Sequence, residues 1–424
     1  MRVPTPAVRA DEPGVTAAPH RRGPSPPSQD PDMTSTARMV ALLALAAFAS
    51  MAAMRISDPL LPLFAQQFDT TTGQAAHAIS AYAVAYGVFQ FFFGPLADRL
   101  GKLRVIAWAL LASALANLGV VASGSLDGII FWRALSGAAA AGIIPLAIAW
   151  IGETVPYGDR QATLARLMVG TLGGVIGGQL IGGLCADLAN WRPAFAGLAG
   201  LYLTAWLMLR RVLTPGAAAA PAPAAPHTGM GPAIAGVIRV PWARVVLLAV
   251  ALEGVAMYGA LAFVPSYLHE RLQIPLTAAG GILAAFGLGG LAYATAARRW
   301  VGWLGERGLS AVGGVLLGTA FAALAFVNHW LPAVLATFGA GLGMYMLHNT
   351  LQTHATQMAP QSRGTAVSLF ACALFLGQSA GVAAAALAAD SVGVRGVFAA
   401  AAIALPLIGL GFAQALRGHA LPKQ

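Results

Sequence analysis

Long stretches almost free of charged residues recur along the chain from about Met39 to Leu416. Each is close to the ~20 residues that a helix needs to cross a ~30 Å hydrocarbon core. Because the interior of a bilayer offers no water, every backbone N–H and C=O there must be bonded within the protein, and stretches that do not alternate in polarity achieve this as helices. Only 9% of the residues are charged and 58% are hydrophobic, which lies outside the range of soluble globular proteins. The pattern predicts an all-α polytopic membrane protein.

The apolar stretches number twelve and divide into two groups of six. The stretch 215–242, rich in Ala, Pro and Gly, separates the groups and predicts a cytoplasmic linker. We therefore expect an N-terminal bundle at 36–214 and a C-terminal bundle at 243–418, and the Pro-rich stretch 1–35 predicts a disordered tail. The predicted segments are 39–63, 77–96, 104–123, 127–151, 164–186, 194–212, 243–268, 277–297, 309–327, 331–354, 364–387 and 394–416.

Basic residues collect on one side of the predicted helices. If the N-terminus is cytoplasmic, the outer loops keep only Arg192, Arg271 and Arg395, and the positive-inside rule then places both termini in the cytoplasm. We expect an integral protein of the bacterial plasma (inner) membrane. The net charge of +10 therefore indicates topology and not nucleic-acid binding. The basic residues assigned to the inner side are Arg38, Arg99, Lys102, Arg104, Arg160, Arg210, Arg211, Arg239, Arg244, Arg298, Arg299, Arg307, Arg363 and Arg417.

Two stretches match across the halves with a one-residue gap. They are "VPYGDRQATLARLMVGTLGGVIGG" at 155–178 and "APQSRGTAVSLFACALFLGQSAG" at 359–381. Both begin in the loop between the fourth and fifth segment of their half, which favours a duplication. Parallel repeats of this kind are typical of secondary transporters, whose substrate site lies between the halves. The aligned pairs are Arg160 with Arg363, Gly174 with Gly377, and Gly178 with Gly381.

The loop "GPLADRLGKLRV" at 94–105 resembles the signature loop between helices 2 and 3 of the major facilitator superfamily. The resemblance implies a fold of twelve transmembrane helices in two pseudo-symmetric bundles, and a charged network that latches the cytoplasmic side. The second-half equivalent at 297–309 keeps Leu304, Gly305 and Arg307 but has no acid, so we expect the latch mainly on the first half. The matching residues are Gly94, Leu96, Ala97, Asp98, Arg99, Gly101 and Lys102.

Three local expectations follow for this loop. Gly94 should let helix 2 approach a neighbouring helix closely. Asp98 should lie near the start of helix 3, where the positive helix end favours a carboxylate. Arg99 and Lys102 should bridge to Asp98 or to the other half. The alternative is that these cations only set the membrane topology.

Two further stretches resemble elements of the same family. Arg133 and Gly137 match its Arg-x-x-x-Gly element in helix 4, and an Arg among apolar residues normally faces a cavity or a partner. The helix 5 stretch "GVIGGQLIGG" resembles the antiporter signature, with Gln179 in place of the usual proline. Plain packing of small residues is the alternative for this stretch. Its matching glycines are Gly174, Gly178, Gly182 and Gly183.

Arg55 and Asp58 are three residues apart and share a helix face, so each can offset the other's charge. Asp58, Leu61 and Pro62 resemble the Asp-x-x-Leu-Pro element of drug/proton antiporters, which makes Asp58 a candidate for proton coupling. Asp58 lies twenty residues after Arg38, or about 30 Å along a helix. An ion pair at the outer membrane interface is therefore the alternative.

Glu253 lies nine residues after Arg244, about 14 Å into its predicted helix. Burial at that depth favours exchange of a proton near neutral pH, so Glu253 is the second candidate for proton coupling. The alternative is a structural partner for a helix of the other half, such as the one that carries Arg133.

A polar stripe crosses the segment "MYMLHNTLQTHATQ" at helical spacing, through Tyr345, His348, Asn349 and Gln352. With Arg55 and Arg133, these side chains are candidates for lining a substrate cavity. Hydrogen-bonding groups with few fixed charges suit a neutral or amphipathic organic substrate. His348 is able to titrate near neutral pH, and a structural histidine is the alternative.

The sequence contains neither a phosphate-binding Gly-x-x-x-x-Gly-Lys-Ser/Thr loop nor a His-Glu-x-x-His pair, so we expect no enzyme and no cofactor. Cys185 and Cys372 have no metal-type spacing. We predict a secondary transporter that works as a monomer in the lipid bilayer and exports small organic molecules in exchange for protons. A proton-coupled uptake symporter for a sugar, nucleoside or related metabolite is the alternative, and a channel-like or scaffold protein is a third class.

Overall fold

The computed structural model describes residues 33–213 and 230–418, and within these ranges the chain is helical without strands. Ten helices in the described part are long and apolar enough to cross a membrane. One of them, Leu276–Ala325, contains two membrane helices that join at Gly305. The further helix Arg192–Val212 completes a set of twelve. The all-α fold of twelve transmembrane helices is therefore confirmed.

The first half contains α1 to α6. α1 is interrupted by a 3-10 turn, and α4 is interrupted at Ala141–Gly142. A four-residue helix, Thr72–Ala75, precedes α2. The bounds are α1 Met33–Arg55 continued by Asp58–Leu60 and Leu61–Gln67, α2 His77–Leu100, α3 Lys102–Ala122, α4 Leu126–Ala140 with Ile143–Thr154, α5 Tyr157–Asp187 and α6 Arg192–Val212.

The second half contains α7 to α12. α7 is interrupted by a π turn, Gly254–Tyr258, and again at Ala262–Phe263. α8 and α9 are separated only by Gly305, whose φ of 62° is left-handed. The bounds are α7 Pro241–Glu253 continued by Gly254–Tyr258, Gly259–Leu261 and Val264–Leu272, α8 276–304, α9 306–325, α10 Trp330–Ala355, α11 Arg363–Val392 and α12 Val394–Ala415.

The predicted linker at 215–242 includes a short helix. Met230–Arg239 is a helix, and the Arg244 guanidinium donates to the carbonyls of Ile238 and Arg239. This helix is therefore bonded to the start of α7. The rest of the linker, 215–229, and the predicted tail up to residue 32 lie outside the described residues, and α1 already begins at Met33.

Each half is packed through equivalent glycines. A Cβ on Gly178 would lie 2.6 Å from the Ala52 carbonyl oxygen of α1, and a Cβ on Gly381 would clash with the Val255 carbonyl of α7. The glycines that the sequence alignment pairs thus occupy equivalent contacts, of α5 with α1 and of α11 with α7. These glycines are Gly174 and Gly178 in the first half, and Gly377 and Gly381 in the second.

The two bundles meet along two seams, α2 with α11 and α5 with α8. We call the end of the helices that carries residues 94–105 the basic end, and the other end the opposite end. Ser379 donates to the Ser80 carbonyl at 3.0 Å in the first seam, and Gly280 lies against the Gln179 carbonyl in the second. Both contacts lie away from the basic end. Contacts at glycines join the bundles as far as Gly87 on α2 and Gly287 on α8, and nearer the basic end a Cβ on Gly94, Gly302 or Gly364 would meet no heavy atom within 4 Å among the described residues.

Candidate functional site

The break in α1 determines the position of Arg133. Pro59 and Pro62 lack an N–H, so the ladder of backbone hydrogen bonds cannot continue through this region. The carbonyl of Ala53, just before the break, accepts a hydrogen bond from Arg133 Nη1 at 2.7 Å. The guanidinium lies 4.2 Å from the ring centroid of Tyr82 and is fully buried. Arg133 therefore joins α4 to the broken part of α1 and to α2.

Asp58 lies at the start of the 3-10 turn in this break and is fully buried. Its Oδ2 accepts a hydrogen bond from Gln179 Nε2 at 2.7 Å and lies 3.6 Å from Arg55 Nη1. The predicted pairing of Arg55 with Asp58 is therefore confirmed. Asp58 lies inside the bundle, because the broken helix turns it towards α5.

Sequence reasoning missed the role of Gln179. Its side chain is buried and donates a hydrogen bond to Asp58, while its backbone carbonyl lies against Gly280 of α8 in the other half. One residue of α5 thus contacts both a buried acid and the seam between the bundles. The available signal was the polar amide at a position where the resembling family carries proline.

The glycines around Gln179 bring α5 against two different helices. Gly174, Gly178 and Gly182 lie on backbone carbonyls of α1, so the alternative of small-residue packing is observed directly. Gly183 lies on the Leu276 carbonyl of α8, where a Cβ would be 2.5 Å away. The four glycines therefore pack α5 both within its own half and across the seam.

The second half contains a matching buried acid. Glu253, the last residue before the π turn of α7, is fully buried, and its Oε2 lies 2.8 Å from Nδ1 of His348 on α10. Its partner is thus the histidine of the predicted stripe. The alternative partner, Arg133, is instead held by α1 and α2 of the first half.

A cation and two tyrosines lie between the two acids. Arg55 of α1 lies 4.6 Å from the ring centroid of Tyr258, which belongs to the π turn of α7. Tyr345 of α10 is close to both groups, and its ring packs on Gly290 of α8. The polar groups therefore form a row across the interface of the bundles, with Gln179, Asp58, Arg55 and Tyr258 in contact and the pair of Glu253 and His348 beyond them.

The predicted stripe on α10 only partly enters this row. Tyr345, His348 and Asn349 are half-buried, and Asn349 lies next to Tyr293 of α8. Gln352 is exposed near the basic end. The stripe therefore extends from the interior of the bundle to its exposed surface near the basic end.

The loop at 94–105 differs from two expectations. Asp98 lies in the last turn of α2 and not at the start of α3, because α2 continues through Pro95 to Leu100 and the chain reverses at Gly101, whose φ is 87°. The argument from the positive start of α3 is therefore wrong. Gly94 makes no close helix contact, since a Cβ there would meet no heavy atom within 4 Å among the described residues.

The cations of this loop form no network across the halves within the described residues. Lys102 pairs with Glu153 of α4 at 2.7 Å, inside the first half, and Asp98 and Arg99 are exposed. Gly101 and Gly305 both adopt left-handed φ at the equivalent helix junctions. This backbone conformation, which favours glycine, explains why both halves keep a glycine at this point of the signature.

Gln179→Leu is expected to destabilise the protein by about 2 kcal/mol, because a buried carboxylate then loses a hydrogen-bond donor. The measurement is thermal unfolding in detergent. Leu180→Ala is a matched control on the exposed face of the same helix, and it should change the stability little. An equal loss in both variants would mean that the hydrogen bond to Asp58 contributes nothing.

A row of buried charges between two six-helix bundles defines a class, the secondary transporters with paired repeats. The chain belongs to the Major Facilitator Superfamily, whose sequence profile matches residues 43–382. It is therefore an integral membrane transporter.

Individual relatives are distant. The chain is 27% identical to the uncharacterized MFS-type transporter YceJ of Bacillus subtilis, over 76% of this chain and 82% of that protein. It is 28% identical to the multidrug export protein EmrB of Escherichia coli, over 36% of this chain and only 30% of that protein. The solved structure of a point mutant of the nucleoside transporter NupG superposes with a TM-score of 0.76 at 13% identity, covering 88% of this chain and 98% of that chain. The last similarity concerns the fold alone.

Proposed function

We propose that this transporter exports small organic molecules in exchange for protons, and that Asp58 and Glu253 carry the protons. The observation that supports this most is the state of the two acids. Each is fully buried, and among the described residues Asp58 Oδ1 and Glu253 Oε1 have no hydrogen-bond partner. Ionisable groups inside a membrane protein usually mark proton or substrate pathways.

The arrangement of the row suggests how protonation acts. Protonation of Asp58 removes the negative charge that attracts Arg55 within the first half. The remaining attraction on Arg55 comes from the other bundle, from the Tyr258 ring and the carboxylate of Glu253. A proton on Glu253 removes the negative charge that Arg55 faces across the interface, and it also weakens the bond to a charged His348 within the second half. Protonation in either half therefore changes the attraction between the bundles, which is what an alternating-access exchange requires.

The positive-inside rule supports a cytoplasmic basic end with both termini on that side. The structure would then be open to the cytoplasm, where an exporter takes up its substrate. Arg133 would stabilise the broken conformation of α1. The α10 stripe and the nearby tyrosines would bind a neutral or amphipathic substrate. When the basic end closes, Asp98, Arg99 and Lys102 would reach the other half as the latch. The similarity to EmrB supports export.

The test uses everted membrane vesicles with an acid interior and a fluorescent pH probe. In wild type, adding the right compound from a panel of drugs, sugars and nucleosides should dissipate the gradient. Asp58→Asn or Glu253→Gln should lower this response at least tenfold, because an amide cannot release a proton. Asp127→Asn, an exposed acid of α4, is the control and should behave as wild type.

A wild type that moves labelled substrate without moving protons would contradict the proposal. Uptake symport makes a different prediction, namely that substrate added to right-side-out vesicles makes the external medium more alkaline. A channel-like or scaffold protein would show no saturable substrate flux.

A further inference from the structure

Two acids at the opposite end of the molecule occupy equivalent positions in the two halves. Asp187 is the last residue of α5, and Asp390 lies in the last turn of α11. Each is nine residues after one of the paired packing glycines, Gly178 and Gly381. The duplication therefore relates the two acids, although neither belongs to a motif that the sequence analysis identified.

The carboxylate of Asp187 bonds the start of α8 in the other half. Its Oδ1 accepts from the Leu276 N–H at 2.7 Å, and its Oδ2 accepts from the Thr277 N–H at 2.8 Å. The first N–H groups of a helix have no partner inside the helix and carry partial positive charge. Gly183, one turn earlier on α5, lets the two backbones approach closely enough for this contact.

The carboxylate of Asp390 makes the corresponding contact in the other seam. Its Oδ2 accepts from Thr71 Oγ1 at 2.8 Å, and Thr71 caps the short helix that precedes α2. The same oxygen lies against Gly73, where a Cβ would be only 2.6 Å away. Both acids thus cross from the end of one helix to the chain at the start of a helix in the opposite bundle.

We propose that Asp187 and Asp390 are a pair of clasps that hold the opposite end closed and that must release for it to open. Opening this end separates α5 from α8 and α11 from α2, so each of these hydrogen bonds has to break. Bonds to a carboxylate are stronger than bonds between neutral groups, so the clasps favour the conformation that is open at the basic end. This role is independent of proton coupling and of the loop at 94–105.

The test measures distances between spin labels at the basic end, in a Cys185→Ala, Cys372→Ala background. Leu96→Cys with Val367→Cys reports the α2–α11 seam, and Met168→Cys with Val301→Cys reports the α5–α8 seam. All four labelled positions are exposed: Leu96, Val367, Met168 and Val301.

Asp187→Asn or Asp390→Asn should lower the ratio of open to closed distances at the basic end about tenfold, and the double variant about a hundredfold. Tenfold corresponds to about 1.4 kcal/mol. Thr71→Val leaves both acids intact, so it should act like Asp390→Asn and add little to it. Asp127→Asn is the matched control, because Asp127 lies at the opposite end, as the two clasps do, but belongs to neither seam.

Unchanged distances in the double variant would overturn the proposal, as would an equal change in Asp127→Asn. If the aspartate variants do not elute as a single folded species, the Thr71→Val variant becomes the test. Distances in Thr71→Val equal to those of wild type would overturn the Asp390 clasp. These outcomes do not depend on whether the transport is coupled to protons.

Discussion

Gly178→Leu is expected to prevent the first bundle from assembling, and Gly381→Leu to prevent the second. A larger side chain in a packed core usually costs about 1–3 kcal/mol even when neighbouring side chains can move. At these two sites the obstacle is the backbone carbonyl of Ala52 or Val255, which cannot move without bending its helix. We therefore expect a loss of about 3 kcal/mol or more for each variant.

The measurement is the yield of monodisperse protein in detergent, followed by its thermal unfolding. Gly197→Leu is the control, because it makes the same change on α6 where a Cβ has open space. Full recovery of either glycine variant with an unchanged melting temperature would contradict the packing that relates the two halves.

Arg133→Leu is expected to destabilise the protein by about 3 kcal/mol, because it leaves the buried Ala53 carbonyl without its donor and removes a bond to a charged group. Arg133→Lys keeps the charge but loses the planar guanidinium that both bonds the carbonyl and stacks on Tyr82, so part of the loss should remain. Thermal unfolding of both variants measures the difference.

Arg211→Leu provides the comparison for this second experiment, because it removes an exposed arginine from the end of α6. A melting temperature of Arg133→Leu no lower than that of Arg211→Leu would show that α1 keeps its broken shape unaided. If Arg133→Lys melted at the wild-type temperature, the positive charge alone would explain the effect.

The helices were predictable from the sequence because membrane spans are determined locally, by length and by the absence of charge. The break in α1 was harder to interpret. Counting residues from Arg38 assumes a continuous helix, whereas Pro59 and Pro62 interrupt it and turn Asp58 towards α5. The predicted second segment ended at 96, so Asp98 was expected near the start of α3, whereas α2 continues to Leu100.

The partners of the buried groups were not predictable from one sequence. Helical spacing placed His348 on a polar stripe and Glu253 inside α7, but spacing within one helix contains no information about which helix lies opposite. The pairing of Glu253 with His348 and that of Asp58 with Gln179 depend on how the helices pack. The paired glycines were informative because they describe contacts between helices.

The π turn of α7 gives this helix two differently oriented faces. Each residue of an α-helix advances by about 100° around the axis. A π turn contains one residue more than an α turn, so Gly254–Tyr258 offsets the two parts of α7 by about that angle. Before the turn, Glu253 bonds His348; beyond it, the Tyr267 hydroxyl bonds the Ala325 carbonyl at the end of α9. The extra residue is thus a phase shift in the helical repeat, and with the second interruption at Ala262–Phe263 it directs the two parts of α7 towards different partners.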